Sequence, residues 1–302
     1  MKRRSAFRDC AEYSLVRVLF VWLRLLPDSL SLALARVMAH AVRHLVPRLT
    51  RVALRNLELA MPETSMPQRQ AIVLGLFDSV ARLLWVIAKT SSGKRERINK
   101  YLKIQNLEIV QQAYEQGHGI LFATGHIGAW ELSAMGFASL VQPMDVLARP
   151  LDNALLDSWV TRIRSATGNR ILAKSGTLRE VLRALGANRA VGFLVDHNVI
   201  SSDLCFIRFF GIETAASTVF AKLAARSGAA VIPGFAFWEE RERCFVLRFY
   251  DPVPVTGDEV ADTQEIHSRL ESVIREYPDQ WLWIHRRFKT RPPGGKPLYE
   301  NL

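Results

Sequence analysis

The chain has 302 residues, of which 49% are hydrophobic and 23% are charged. This composition excludes a disordered chain and predicts one large globular domain or two small ones. Lysine and arginine together number 40 against 29 acidic residues, a formal charge of +11, which predicts an anionic partner: nucleic acid, anionic lipid headgroups or an acidic carrier protein. The three cysteines lack the paired spacing of a disulfide framework or a zinc site.

The N-terminal stretch is basic and then apolar, but it differs from a signal peptide. Arg17 and Arg24 interrupt the apolar run, and no small-residue cleavage site follows Leu26. The run is also shorter than the roughly 20 apolar residues that span a bilayer, so a transmembrane helix is not expected. The two arginines share one helical face, which favours a helix lying in the membrane interface. A core helix with two solvated arginines is the alternative.

Residues 1–90 are predicted to form a helical, membrane-surface region. Apolar residues recur at helical spacing between breaks at Pro27, Pro47 and the "MPETSMPQ" turn. The predicted helices cover 11–26, 29–46, 48–60 and 67–90. A polar connector at 91–101 opens the second region, 91–302, which we expect to be integrated with the first into one domain.

From residue 106 onward, helical segments alternate with short apolar strands. The predicted strands cover 119–124, 144–149, 170–173, 190–196, 229–237 and 244–251. The predicted helices cover 106–116, 129–140, 152–167, 176–187, 214–228 and 262–277. This order indicates an α/β fold with a mostly parallel central sheet and helices on both faces, in which the last two strands can pair antiparallel.

Polar clusters follow three of these strands, at the edge where α/β sheets place their sites. The first cluster, "TGHIGAWE", contains His126 and Glu131. Five residues on one helix would separate the two side chains, so pairing requires His126 in the glycine-flanked turn and Glu131 on the helix that follows. In that geometry the carboxylate would orient the imidazole as a general base for a hydroxyl. On spacing alone, a histidine that only caps a turn is the alternative.

The other two clusters, "RPLDN" and "DHN", supply Arg149, Asn153 and Asp196. A guanidinium just after a strand suits a phosphate or carboxylate, and a surface salt bridge is the alternative for Arg149. For Asp196 the alternative is a cap that forms a turn.

Near the C-terminus, "WLWIHRRFKTR" interleaves aromatic side chains with basic ones. This composition suits a surface at the level of lipid headgroups, and it also suits single-stranded nucleic acid. The sequence contains no nucleophile elbow, phosphate-binding loop or zinc-protease pair. His40 and His44 have metal-ligand spacing but no acidic or thiol third ligand nearby, so we expect no metal site.

Together and in this order, the clusters resemble the bacterial lipid A biosynthesis acyltransferases, the lauroyl/myristoyl transferase family. They also resemble the related phosphatidylinositol mannoside acyltransferases within the lysophospholipid acyltransferase group. The resemblance runs from residue 50 to residue 294 and includes "GHGILFATGHIGAWE", "LARPLDNALLDSWV", "AVGFLVDHN" and "FFGIETAASTVFAKLAARSG". The chain departs from the family pattern at Ala129, where "GNWE" is expected, and at His197, where "DQ" is expected.

The resemblance implies an O-acyltransferase attached peripherally to the cytoplasmic face of the bacterial inner membrane. It implies transfer of a fatty acyl chain from an acyl-carrier-protein or coenzyme A thioester to a hydroxyl of a glycolipid such as a lipid A precursor. No cofactor beyond that thioester is implied, and nucleic acid is not expected as a partner.

The family's histidine and acidic residue correspond to His126 and Glu131, and its arginine after the next strand corresponds to Arg149. We expect His126 to deprotonate the acceptor hydroxyl and Glu131 to orient it. Arg149 is expected to hold a phosphate of the acceptor, and Asn153 and Asp196 to shape the pocket. Backbone N–H groups at the start of the next helix are candidates for the oxyanion. Two alternatives are a thioesterase that uses the same site and a non-enzymatic, nucleic-acid-binding module.

Overall fold

The computed structural model describes residues 5–173 and 178–300, and it begins with four long helices. They are α1 (Ala6–Leu25), α2 (Asp28–Leu45), α3 (Pro47–Ala60) and α4 (Met66–Thr90). The Ser5 side chain caps α1 by accepting a hydrogen bond from the Arg8 N–H. Pro47 opens α3, and Ser65 starts α4 with a capping box. The four predicted helices are confirmed, although α1 begins five residues before the predicted start.

α4 is the one helix in the described part of the chain that is long and apolar enough to cross a membrane, judged by length and composition. Half of its apolar window is buried inside the protein, and the helix packs against α1, α2 and α3. A helix at the centre of a core requires the same apolar composition. Core packing therefore accounts for the hydropathy of α4.

The second region is built on a seven-stranded sheet in the order β1-β9-β8-β2-β5-β3-β4. Its strands are β1 (Leu102–Gln105), β2 (Ile120–Thr124), β3 (Asp145–Ala148), β4 (Arg170–Ala173), β5 (Ala190–Leu194), β8 (Ala230–Glu239) and β9 (Cys244–Phe249). Every neighbouring pair is parallel except β8 and β9. The predicted α/β class with a mostly parallel sheet, and the antiparallel pairing of the last two strands, are confirmed.

Seven helices of the described chain follow α4 and lie between or after these strands. They are α5 (Arg95–Tyr101), α6 (Leu107–Glu115), α7 (Trp130–Leu140), α8 (Ala154–Arg164), α9 (Leu178–Gly186), α10 (Val219–Ser227) and α11 (Glu259–Glu276). The polar stretch expected to be a connector forms α5, because Ile98 and Tyr101 are buried while the rest of the helix is polar or charged. It leads directly into β1, a strand that the sequence did not predict. The predicted start of α9, at residue 176, lies outside the described residues.

A β-hairpin replaces the first part of one predicted helix. β6 (Leu204–Phe209) pairs antiparallel with β7 (Ile212–Ser217), and α10 begins only after it. The turn between the strands has positive φ at Phe210 and Gly211. Alanines in "ETAAST" favour a helix locally, but pairing with β6 places them in a buried strand instead. The prediction of a helix from residue 214 is therefore wrong for its first five residues.

The aromatic residues near the C-terminus lie in the core. Trp281, Trp283 and Phe288 are at most 2% exposed, and the Arg287 guanidinium beside them is also fully buried. Nη1 of Arg287 donates to the carbonyl of Ala215 at 2.7 Å, which ties this segment to the β6–β7 hairpin. The expectation of an exposed surface for headgroups or nucleic acid is wrong, because these rings fill the interior.

Candidate active site

His126 lies in a tight turn between β2 and α7, at the middle of the sheet. Gly128 in this turn has a φ of +53°, and a Cβ there would lie 2.1 Å from the carbonyl oxygen of Ala236, so the position requires glycine. The N–H of Ala129, a fully buried residue, donates to that same carbonyl at 2.9 Å. The turn is thereby fixed to β8. As the sequence predicted, His126 precedes the helix and Glu131 lies on it.

The carboxylate that holds His126 belongs to Asp196. Nδ1 of His126 lies 2.8 Å from Oδ1 of Asp196, and the His126 backbone N–H donates to Oδ2 at 2.7 Å. The indole N–H of Trp281 donates to Oδ2 as well, at 2.8 Å. Asp196 is 3% exposed, so its charge is removed from water and compensated by three hydrogen bonds.

The topology of the sheet brings these two residues together. β2 and β5 are adjacent parallel strands, paired along their length from Ile120–Ala190 to Thr124–Leu194. Their carboxyl ends therefore meet at one edge, where His126 and Asp196 each follow two residues after the strand. Gly125 allows the close approach, because a Cβ at that position would lie 3.1 Å from Oδ2 of Asp196.

Burial and pairing shift the pKa values of both His126 and Asp196. Burial of the Asp196 carboxyl opposes its ionisation, but the charge and hydrogen bonds of His126 and the Trp281 N–H hold its pKa well below the usual range. Burial disfavours the His126 imidazolium, yet the Asp196 charge and hydrogen bond, with a smaller contribution from the Glu131 charge, raise the pKa of His126. An ionised Asp196 keeps the His126 proton on Nδ1, so Nε2 is the nitrogen that accepts a proton.

Glu131 has a different partner from the one expected. Its carboxylate forms a bidentate ion pair with Arg164, the last residue of α8, at 2.5 and 2.8 Å. The predicted His126–Glu131 hydrogen bond is not formed, because the first turn of α7 directs this carboxylate toward the guanidinium and Asp196 occupies Nδ1. Glu131 acts on His126 through its charge rather than by contact.

A cavity of about 570 Å³ opens at this site, within the size range of small-ligand pockets. His126, Glu131, Arg164 and His197 line its polar part. The remaining walls are mostly apolar and include Phe122, Phe137, Met144, Val146, Leu247 and Phe249. The cavity therefore joins a proton acceptor to a largely hydrophobic chamber.

The two other predicted site residues occupy different environments. Arg149 lies at the rim of the cavity, with 79% of its side chain exposed, and pairs with Asp152 at 3.3 Å. Asn153 is buried and does not line the cavity. Its side-chain oxygen caps α8 by accepting from the N–H groups of Leu155 and Leu156, and its amide donates to α1. Asn153 thus joins two helices and lies outside the pocket lining.

His197 adds a second imidazole next to His126, with ring centroids 4.4 Å apart. One ligand atom from each of His126, Asp196 and His197 falls within 4.8 Å of the others, a donor set that can hold a transition metal. Asp196 already accepts three hydrogen bonds, two of them from His126, so a metal would compete with the contact that orients the imidazole. The geometry favours a base and its carboxylate over a metal centre, and the absence of a metal remains a prediction.

Arg164 and Trp281 are site residues that the sequence did not reveal. Arg164 reaches Glu131 across 33 residues, and Trp281 reaches Asp196 across 85. The only sequence signal for Trp281 was its place in the aromatic C-terminal run, where it was interpreted as exposed. Asp196 was expected near the pocket from its strand-end position, but its role as the partner of His126 requires the strand order.

The chain is similar to known proteins over most of its length. The family model described as bacterial lipid A biosynthesis acyltransferase matches residues 1–290. The lipid A biosynthesis palmitoleoyltransferase of Escherichia coli K12 is 28% identical over 286 residues, covering 93% of this chain and 92% of the relative. The lauroyltransferase of the same strain is 29% identical over 255 residues, covering 83% of each chain. A lipid A biosynthesis acyltransferase of Haemophilus influenzae is 27% identical over 254 residues, covering 82% and 80%.

Proposed function

The chain belongs to the bacterial lipid A biosynthesis acyltransferase family, and from that premise we propose that it moves a fatty acyl chain from an acyl thioester to a hydroxyl of a lipid A precursor. The observation that carries this proposal is the His126–Asp196 pair at the polar part of an apolar cavity. The donor is the thioester of an acyl carrier protein or of coenzyme A. The reaction needs no other cofactor, because the chain supplies the base.

His126 begins the reaction by accepting the proton of the acceptor hydroxyl on Nε2, while Asp196 stabilises the imidazolium that forms. The resulting oxygen nucleophile attacks the thioester carbonyl carbon and forms a tetrahedral intermediate. The C–S bond then breaks, and the imidazolium returns its proton to the departing thiolate. The products are an ester and a thiol, and no acyl-enzyme is formed.

The tetrahedral intermediate carries a negatively charged oxygen, which hydrogen-bond donors must stabilise. The N–H groups of Gly128 and Ala129 are already bonded to the carbonyls of Gln280 and Ala236, so they are not available for this role. The first turn of α7 begins without a side-chain cap, and Trp130 and Glu131 of that turn line the cavity. We assign the oxyanion to the backbone N–H groups of this turn.

The walls of the cavity suggest where each substrate lies. The apolar chamber around Phe122, Val146 and Phe249 suits the hydrocarbon chain, because burial of each methylene stabilises the complex by about 0.8 kcal/mol. Arg149 at the exposed rim suits a phosphate of the acceptor, which a guanidinium can bind with two parallel hydrogen bonds.

The N-terminal region suits attachment to a membrane surface. Leu15, Val18, Trp22 and Leu25 on α1 are all more than half exposed, and α2 exposes further apolar side chains. Both Arg17 and Arg24 were expected to reach the headgroups. Arg24 is exposed, whereas Arg17 is only partly exposed and its guanidinium lies 5.4 Å from the centre of the Trp159 ring on α8. An apolar surface with basic side chains binds anionic lipid, so we place the enzyme peripherally on the cytoplasmic face of the inner membrane.

Transfer by purified protein tests this proposal. Wild-type chain and a His126→Ala variant are incubated with acyl carrier protein or coenzyme A thioesters, with and without a lipid A precursor. We expect an ester product that requires the acceptor, and a fall on the order of 10²–10⁴-fold in the variant. Wild-type rates in the variant would contradict the proposal. Free fatty acid released at the same rate without acceptor would support the thioesterase alternative instead.

A further inference from the structure

Both the oxygen and the nitrogen of the Asn153 side-chain amide form hydrogen bonds. The oxygen accepts from the N–H groups of Leu155 and Leu156 at 3.0 and 3.2 Å, which caps α8. The amide nitrogen donates to the backbone carbonyl of Asp9 at 3.0 Å and to the carboxylate of Glu12 at 3.2 Å. A cap requires only the oxygen, and the second pair of bonds links α8 to α1. The side chain is 3% exposed, so these bonds are shielded from water.

A second contact joins the same two helices about two turns further along each. Phe20 of α1 meets Trp159 of α8 edge to face, with ring centroids 4.7 Å apart. The Arg17 guanidinium lies 5.4 Å from the centre of the same indole and donates to the Tyr13 hydroxyl. Two separate contacts therefore fix the direction of α1 relative to α8.

The rim of the cavity is attached to the same turn of α8. Residues 149–152 line the cavity and immediately precede Asn153. The N–H of Leu151 donates to the Asp157 carboxylate in the first turn of α8 at 2.8 Å, which fixes the rim to that turn. Leu151 and Leu155, on either side of Asn153, are both about two-fifths exposed. The rim, the start of α8 and α1 thus form one connected unit.

We propose that Asn153 is a positioning residue that holds the mouth of the cavity at the level of the lipid surface on which α1 lies. This inference rests on the proposed function, in which α1 contacts anionic lipid and the acceptor is a membrane lipid. With the Asn153 bonds in place, binding of α1 to the bilayer also positions residues 149–152 next to it. Without them, α1 still binds lipid, but the mouth is no longer held where the acceptor's hydroxyl emerges. The chemistry at His126 does not involve these bonds.

Two substitutions separate the hydrogen bonds from Asn153 to α1 from its capping of α8. Asn153→Ser keeps an oxygen that caps α8 but has no amide to donate to α1. Asn153→Asp also caps, and it places a carboxylate against the Asp9 carbonyl and the Glu12 carboxylate. The control is Asp258→Ser, which changes the cap of α11 from aspartate to serine, because the Asp258 side chain accepts from Val260 and Ala261 of its own helix. Glu12→Ala removes one acceptor on α1 and leaves α8 unchanged.

The experiment measures kcat and KM with the acceptor presented in two forms: detergent micelles, and vesicles of phosphatidylethanolamine and phosphatidylglycerol. For Asn153→Ser we expect an unchanged kcat in micelles and a roughly tenfold higher KM for the acceptor in vesicles. Asn153→Asp should show a larger increase, Glu12→Ala a smaller one, and Asp258→Ser none. Vesicle co-sedimentation should be the same for all five proteins.

Several results would overturn the inference. An unchanged vesicle KM in both Asn153 variants and in Glu12→Ala would show that the link has no functional effect. A parallel loss of kcat in micelles would show a role in folding or chemistry instead. If the Asn153 variants did not fold, the Glu12→Ala variant would test the proposal. A vesicle KM of Glu12→Ala equal to that of the wild type would then refute it. A wild-type chain that transfers no acyl group would remove the proposed function and this inference together.

Discussion

The charged side chains at the two ends of the cavity lie in opposite environments, one buried and one exposed. At the inner end, His126 lines the cavity and Asp196 lies behind it, 3% exposed and accepting three hydrogen bonds, two of them from His126. At the rim, Arg149 is 79% exposed and makes one long ion pair with Asp152. A buried charge must be paired, and its pairing fixes geometry and shifts pKa, whereas an exposed charge is screened and free to move to a ligand. The inner end is therefore suited to catalysis and the rim to recognition.

The largest expected effect is at the inner end. Asp196→Asn keeps the shape of the side chain but removes the charge that stabilises the His126 imidazolium and fixes its tautomer. We expect kcat to fall on the order of 10²–10³-fold, with little change in KM. Steady-state transfer kinetics, with circular dichroism to verify folding, measure this. A fall of less than a few-fold would remove the distinction between the two ends.

Glu131→Gln should have a smaller effect. The variant leaves the Arg164 guanidinium, which is 19% exposed, without its bidentate partner, and removes a charge that acts on His126 only through space. We expect a roughly tenfold lower kcat and a loss of about 1–3 kcal/mol in the free energy of unfolding. Thermal unfolding and kinetics of Glu131→Gln, Arg164→Gln and the double variant test this. A larger loss of kcat than in Asp196→Asn would make Glu131, and not Asp196, the main partner of His126.

The smallest effect is expected at the rim. Arg149→Ala should raise the KM for a phosphorylated acceptor roughly two- to fivefold at low salt, and high salt should abolish the difference, because exposed charges are screened. Unfolding temperature should not change. Arg162→Ala, an exposed arginine of α8 that does not line the cavity, is the matched control. Equal KM increases in both variants would show that general charge, and not the position of Arg149, binds the acceptor.

The sequence predicted the helices and strands of this fold better than the tertiary contacts between site residues. The helices before residue 90 and six of the seven strands of the sheet follow from hydrophobic periodicity, proline breaks and caps, which are local properties, whereas β1 was missed. The β6–β7 hairpin was missed because the alanines of β7 favour a helix until β6 pairs with them. His126 was identified correctly as a residue in the turn, because two glycines mark that turn in the sequence.

The partners in the site depend on which strands are neighbours. His126 and Asp196 are 70 residues apart and meet because β2 lies next to β5. Glu131, five residues from His126, was the nearer candidate in sequence, but Arg164 at the end of α8 holds it. Asn153 lies next to the rim in sequence, yet its contacts are with α1. Each of these assignments requires tertiary contacts that residue spacing does not contain.

The pH dependence of transfer tests most directly whether Asp196 holds His126 as the base. The ordinary histidine pKa is 6.5, and in the wild-type chain the Asp196 charge raises the pKa of His126, so kcat/KM should fall with decreasing pH at a midpoint above 6.5. In Asp196→Asn, burial opposes protonation with only the smaller Glu131 charge against it, so the midpoint should move to lower pH at a reduced maximal rate. The same midpoint in both proteins, or a shift to higher pH in Asp196→Asn, would contradict the account.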